Sequence, residues 1–151
     1  MAHESTDRFL IFSVGGSLFA FSSGLIGEVV SCERVYKMPL CPDYMLGLIN
    51  RFGVPYALID TAKLLAITSQ NSRKAVVLKE SVERVAFAID DVIDIAEAVE
   101  NSLMKVDKSG ADESQMARFV SRQFSYNEQM VFELDVKLLL SNFENDVSLE
   151  I

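Results

Sequence analysis

Two dense apolar runs separated by a glycine pair constrain this chain more than any other feature. Phe9-Leu10-Ile11-Phe12-Ser13-Val14 is an aromatic and β-branched run. It stops at Gly15-Gly16, and Leu18-Phe19-Ala20-Phe21 follows at once. Both glycines can take positive φ, as the tightest hairpin turns require, so the stretch predicts a β-hairpin. Its alternation reads as core.

The same grammar continues. Ile26 to Val30 is a further strand candidate, and Val35 to Met38 a weaker one. Pro39-Leu40-Cys41-Pro42-Asp43 follows, where two prolines remove backbone donors and force an extended corner. Leu46 to Ile49 and Tyr56 to Ile59 are short apolar runs on either side of Gly53. Asp60 is placed to cap a short helix, Thr61 to Ala66, with Leu64 and Leu65 inward. Thr68-Ser69-Gln70-Asn71-Ser72 reads as a loop between halves.

The second half follows the same plan. Ala75 to Leu78 and Arg84 to Ile89 flank a polar turn at Lys79 to Glu83, and Val92 to Ile95 is a further short strand. Residues 97–115 are polar, with Lys108 to Asp112 as the loop core. Phe119 to Phe124 and Gln129 to Leu134 are the last strands, and Asp135 caps a final helix to about Phe143. The tail from Asn145 is expected to fray.

Two correspondences occur in the same order. Ile26-Gly27-Glu28-Val29 matches Val92-Ile93-Asp94-Ile95, and Leu58-Ile59-Asp60 matches Glu133-Leu134-Asp135. A repeat on this scale implies two related β-modules packed together. Many short strands with turn signals between them point to barrels or sandwiches.

Charge narrows the partners. The 151 residues hold 14 Lys and Arg against 22 Asp and Glu, a net charge of −8. Residues 1–68 carry 5 basic and 6 acidic side chains, and residues 69–151 carry the other 9 and 16. Nucleic acid and anionic membranes both need clustered Lys and Arg, so neither is expected as a main partner. No apolar run approaches the roughly 18 residues that span a bilayer, and the first residues lack a signal-peptide pattern. A cytoplasmic protein is expected. Cys32 and Cys41 match no zinc or redox spacing and read as reduced thiols.

Catalysis has little to work with. The single histidine is His3, so Ser-His-acid and Cys-His arrangements lack their base. Phosphate-cradling motifs are absent from the sequence. Asp90, Asp91, Asp94 and Glu97 form the densest acidic group. In a strand Asp90 and Asp94 share a face while Asp91 points away, so a solvated edge that discourages strand pairing is favoured over a cation site. No catalytic residue, metal ligand or cofactor is expected.

One stretch is more specific. Met38-Pro39-Leu40-Cys41-Pro42-Asp43-Tyr44-Met45-Leu46-Gly47-Leu48-Ile49-Asn50 continues to Gly53 and then Ala57-Leu58-Ile59-Asp60. It resembles the chemotaxis coupling protein family, the CheW-like domain. Phe9 to Phe12 with Leu18 to Phe21 looks like that family's opening hairpin, and Ile26 to Val30 like its Val-x-Glu-Ile-Ile strand. Val85 to Val92 looks like its apolar strand ending Val-Asp-x-Val. The similarity spans residues 8–143, with approximate halves 8–68 and 73–143 and flexible termini at 1–7 and 144–151.

The resemblance implies a mainly β fold of two five-stranded, SH3-like barrels around a shared core, with short helices after strands. It implies a non-enzymatic adaptor that joins the cytoplasmic hairpins of chemoreceptors to the regulatory domain of a histidine kinase, at receptor arrays under the inner membrane. Ile26, Glu28 and Gly47 match the family's receptor-binding elements. Arg51, Phe52 and Gly53 fall where the kinase contact is expected. There the chain departs: Phe52 stands where the family has Arg before Gly, with Arg51 one place early, and Ala57 stands where it has Pro. Phe52 would turn a charge-assisted contact into an apolar one. Two other readings compete with the adaptor. One is a self-associating or accessory module of the same fold without kinase coupling; the other is an acidic metal-binding domain.

Overall fold

The structure, a computed structural model, describes residues 6–32, 34–69, 74–99, 102–105 and 115–150. His3, the loop core Lys108 to Asp112 and residues 70–72 of the proposed boundary loop lie outside the described residues.

Among the described residues, eleven strands build two sheets. In chain order they are β1 (Thr6–Val14), β2 (Ser17–Ser22), β3 (Ile26–Ser31), β4 (Met45–Arg51), β5 (Val54–Asp60), β6 (Lys74–Leu78), β7 (Val85–Ile89), β8 (Asp91–Val99), β9 (Met104–Lys105), β10 (Val120–Tyr126) and β11 (Gln129–Leu134). The helices among the described residues include α1 (Thr61–Leu64), α2 (Gln115–Phe119), α3 (Val136–Glu150) and the 3-10 turn Ser23–Leu25. Asp60 accepts a hydrogen bond from the Lys63 amide and Asp135 one from the Leu138 amide, so both predicted caps are in place.

The predicted first hairpin is present. Val14 pairs with Ser17 across Gly15 and Gly16, both at positive φ. An alanine methyl at Gly15 would lie 2.3 Å from the Thr68 carbonyl oxygen, so the position is closed to a side chain.

The sheets do not follow the halves 8–68 and 73–143. One sheet runs β3-β6-β7-β5-β4 and the other β8-β1-β2-β11-β10-β9. Each takes its central hairpin from the opposite half of the chain. Strand β3 leaves the first hairpin to pair with β6, and β8 leaves the second hairpin to pair with β1. Otherwise the two sheets are built alike. A parallel pair, β5 with β7 and β11 with β2, joins the hairpins in each. The sixth strand, β9, is a two-residue addition at one edge.

This exchange explains why the hairpin strands are almost continuously apolar. Along β1, Leu10, Phe12 and Val14 enter a core between the sheets, while Phe9 and Ile11 enter a smaller one with Ala20, Phe124 and Val131. Along β6 and β7, Val76, Leu78, Val85, Phe87 and Ile89 face the shared core; Ala75, Val77, Ala86 and Ala88 face a third cluster with Ile49, Tyr56 and Leu58. A strand buried on both faces has no polar face to alternate with. Phe21 of one sheet meets Phe87 of the other, ring centroids 5.2 Å apart. Aromatic rings buried this fully supply much of the hydrophobic stabilisation, about 25 cal/mol per Å².

Three local expectations change. Phe119 closes helix α2 instead of opening a strand. Val35 to Met38 provides only a bridge between Tyr36 and Leu48. The last helix is longer than the expected end near Phe143, since α3 continues to Glu150. The reason for the longer helix is tertiary. Asp146 accepts a hydrogen bond from the buried Tyr44 hydroxyl, Asn142 Nδ2 lies 3.3 Å from the same oxygen, and Phe143 packs edge-on against the ring.

Candidate functional site

The repeat extends to the defects in the sheets, and the site is built on those defects. In β3, Ile26 pairs with Leu78 and Glu28 with Val77, which leaves Gly27 as an extra, bulged residue. In β8, Phe12 pairs with Val92 and Ile11 with Asp94, which bulges Ile93. A bulge twists an edge strand and re-aims the side chain that follows. Here that residue is acidic both times: Glu28 and Asp94.

Each acid is met from the opposite side of its own sheet, Glu28 from the edge strand β4 and Asp94 from β10, the strand beside the short edge strand β9. Arg51, the last residue of β4, donates from Nε to Glu28 Oε1 at 3.0 Å and again from Nη2. Tyr126, the last residue of β10, donates its hydroxyl to Asp94 Oδ2. That bond, more than burial, raises the Tyr126 pKa. Arg51 and Tyr126 both precede two-residue turns at matching places. Arg51 pairs with Val54 across Phe52-Gly53, and Tyr126 with Gln129 across Asn127-Glu128. All four turn residues have positive φ, as a type I′ turn demands.

The Phe52 ring is 92% exposed at the tip of its turn, with the Arg51 guanidinium 5.0 Å from its centroid. Asn50 Oδ1 accepts the Gly53 amide at 2.7 Å and fixes the turn from inside. Beside it lies a cavity of about 270 Å³ lined by Val30, Cys32, Arg34, Tyr36, Ile49 and Arg51, among others. Burial raises the Cys32 thiol pKa. Both cysteines are free and half-buried.

Glu28, Arg51, Phe52 and Gly53 thus form one surface. Ile26 and Gly47 do not join it in the same way. Ile26 is half-buried and packs against the core between the sheets. Gly47 is buried, at φ +146°, and a Cβ there would lie 2.3 Å from the Tyr36 carbonyl oxygen. The backbone that Gly47 admits is the chain's own segment at Tyr36, which exchanges both backbone hydrogen bonds with Leu48 at 2.8 Å.

Sequence reasoning missed Tyr36 and Leu40. Tyr36 is 50% exposed and lines the cavity beside Arg51. Leu40 is 78% exposed and, like Phe52, sits at positive φ. The signal for Leu40 was its place between Pro39 and Pro42. Nothing local marked Tyr36, whose partner Leu48 lies beyond that corner.

The acidic group is dispersed. Asp90 accepts from the Gly15 amide at 2.8 Å and from Ser69, Asp91 pairs with Lys74 at 2.6 Å, Asp94 holds Tyr126, and Glu97 pairs with Arg8 at 2.8 Å. Among the described residues no three His, Cys, Asp or Glu side chains gather as a metal site requires. Within those residues no helix is long and apolar enough to cross a membrane.

The CheW-like domain family model matches residues 8–144. The chain belongs to the CheW-like domain family. A CheW-like relative, the probable chemotaxis protein CheW of Rhizobium etli, is 26% identical over 147 residues, covering 94% of this chain and 93% of that protein. The crystal structure of the scaffolding protein TtCheW from Thermoanaerobacter tengcongensis superposes with a TM-score of 0.76 at 20% identity, covering 87% and 86% of the two chains. The paired β-subdomains are therefore the CheW-like fold.

Proposed function

We propose that this chain is a non-enzymatic coupling scaffold of chemotaxis signalling. It would link the cytoplasmic tips of chemoreceptors to the regulatory domain of a histidine kinase, on the cytoplasmic side of the membrane. The observation that carries this reading is the CheW-like match across residues 8–144, which takes in both sheets and the surface at Glu28, Arg51 and Phe52. The receptor side is assigned to Ile26 and Glu28. Gly47 contributes by seating Tyr36, and the kinase side is assigned to Arg51, Phe52 and Gly53. Because Arg51 and Glu28 are bound to each other, the two proposed contacts meet at one ion pair.

Co-sedimentation with a receptor cytoplasmic fragment and with the kinase regulatory domain, each alone and then together, tests the reading. Retention by each, and a ternary pellet, is the expected result. Failure to pellet with either removes the proposal. A chain that sediments only with itself supports a self-associating module instead.

A further inference from the structure

The cavity beside Arg51 exists because a strand pairing stops early. The segment at Tyr36 runs antiparallel to β4, and Tyr36 exchanges both backbone hydrogen bonds with Leu48. Continued by two residues, that register would set Arg34 opposite Asn50. The pairing ends instead at a single bridge, and a cavity of about 270 Å³ opens there, with Arg34 and Asn50 both lining it. Asn50 presents its backbone amide and carbonyl on the same edge as Leu48, because the pairing groups of a strand alternate. Its neighbour on the other side, Pro55 of β5, has no N–H to offer it.

The lining is chemically two-sided. Val30, Cys32 and Ile49 belong to the third apolar cluster and form one wall. Arg34 and Arg51 bring two guanidinium groups to the other. Arg34 is held by a hydrogen bond to the Tyr36 side chain. Arg51 binds Glu28 through Nε and Nη2, both on one carboxylate oxygen, so Nη1 takes no part in that pair. Among the described residues no carboxylate lines the cavity. Two of the five basic side chains in residues 1–68 meet here, in a chain of net charge −8.

We infer that this cavity binds a small organic acid, whose carboxylate meets Arg34, Arg51 and the Asn50 amide while its short apolar body lies against Val30 and Ile49. Guanidinium forks match carboxylates in both geometry and charge. The volume lies just below the range of about 300–1,000 Å³ found for drug-sized sites, which limits the ligand to a small molecule. Inorganic phosphate would satisfy the cations and leave the apolar wall uncovered. The site does not depend on the coupling reading.

Cys32 lines the cavity and serves as its reporter. Iodoacetate and iodoacetamide alkylate the same thiol, displacing iodide, and differ in the carboxylate. Cys41, half-buried and hydrogen-bonded to the Met38 carbonyl, is the internal control. The ratio of the two rates at one thiol cancels its thiolate fraction, which matters because burial raises the Cys32 pKa. Mass spectrometry of the full chain is expected to give an iodoacetate-to-iodoacetamide ratio at least about tenfold higher at Cys32 than at Cys41. Arg34→Gln is expected to bring the two ratios within about twofold of each other. Butyrate should slow iodoacetamide alkylation of Cys32 and leave Cys41 unchanged, while phosphate at equal ionic strength leaves both unchanged. Equal ratios at the two cysteines of the wild-type chain overturn the site. So does a Cys32 ratio that survives Arg34→Gln, and protection by phosphate as strong as that by butyrate overturns the organic acid as its ligand.

Discussion

Arg51 of β4 donates to Glu28 of β3, and so joins the two outer strands of one sheet where no backbone ladder connects them. Tyr126 and Asp94 hold the corresponding gap in the other sheet. Each pair combines a residue at a turn with an acid just past a bulge. The gap is closed from both sides by features fixed early in the chain's local geometry.

The Arg51 pair is partly exposed, so its contribution is about 0.5–1 kcal/mol. Arg51→Ala is expected to lower the melting temperature by roughly 2–4 °C at low salt. The difference from wild type should shrink in 0.5 M NaCl, because screening weakens the pair in the native protein. A double-mutant cycle of Arg51→Ala with Glu28→Gln measures the coupling directly. A coupling near zero would show that the contact contributes nothing to closing the sheet.

Gly47→Ala should behave differently. Its Cβ would collide with the Tyr36 carbonyl, and its φ of +146° suits only glycine. Relief requires the Tyr36–Leu48 bridge to open, at a cost of about 2 kcal/mol or more. Hydrogen exchange should show lost protection at the Tyr36 and Leu48 amides. Any accompanying loss of receptor binding would then arise from the displaced segment at Tyr36, because Gly47 itself is buried.

These two cases show what was readable in advance. The hairpin at Gly15-Gly16, the caps at Asp60 and Asp135 and the repeat of Glu28 with Asp94 were legible because turn chemistry, capping and apolar period act over a few residues. The strand exchange between halves was not, since nothing within Ile26 to Val30 says whether it pairs with β2 or with β6. Gly47 was legible only as a match to receptor-binding elements; its close contact with Tyr36 was not, because that segment lies beyond two prolines. Phe52 was legible as a departure; its strain was not, because φ depends on the hairpin register.

Glu133 offers the opposite extreme to Arg51. It is buried and holds Arg122 with two hydrogen bonds, at 2.6 and 3.1 Å, while Ser121 donates to the same carboxylate. Arg122 also reaches Asp7 at 3.1 Å, tying β1 to β10. Removing one partner of a buried pair strands the other, so Glu133→Ala should cost about 2–4 kcal/mol. Urea unfolding is expected to show a clearly larger loss than Arg51→Ala. Equal losses would mean that Asp7 alone satisfies Arg122.

Tyr44 supplies a dependence on alkaline pH. Burial is the main cause that raises its pKa, and the hydrogen bond to Asp146 adds to it. An unfolded chain releases this proton near pH 10. Folded Tyr44 holds it to a higher pH, so between those values the native state binds more protons than the unfolded one. The contribution is complete below about pH 10 and is lost as pH rises through the folded value. Wild type should therefore lose stability in urea steeply above pH 10, and Tyr44→Phe should lose less. At pH 7 the same variant should cost about 1 kcal/mol for the lost hydrogen bond, with faster exchange in the last turns of α3. Tyr126→Phe is the control, because Asp94 raises that hydroxyl in the same direction at an exposed site. An alkaline loss abolished by Tyr126→Phe and kept by Tyr44→Phe would move the effect from the α3 contact to the gap held by Asp94.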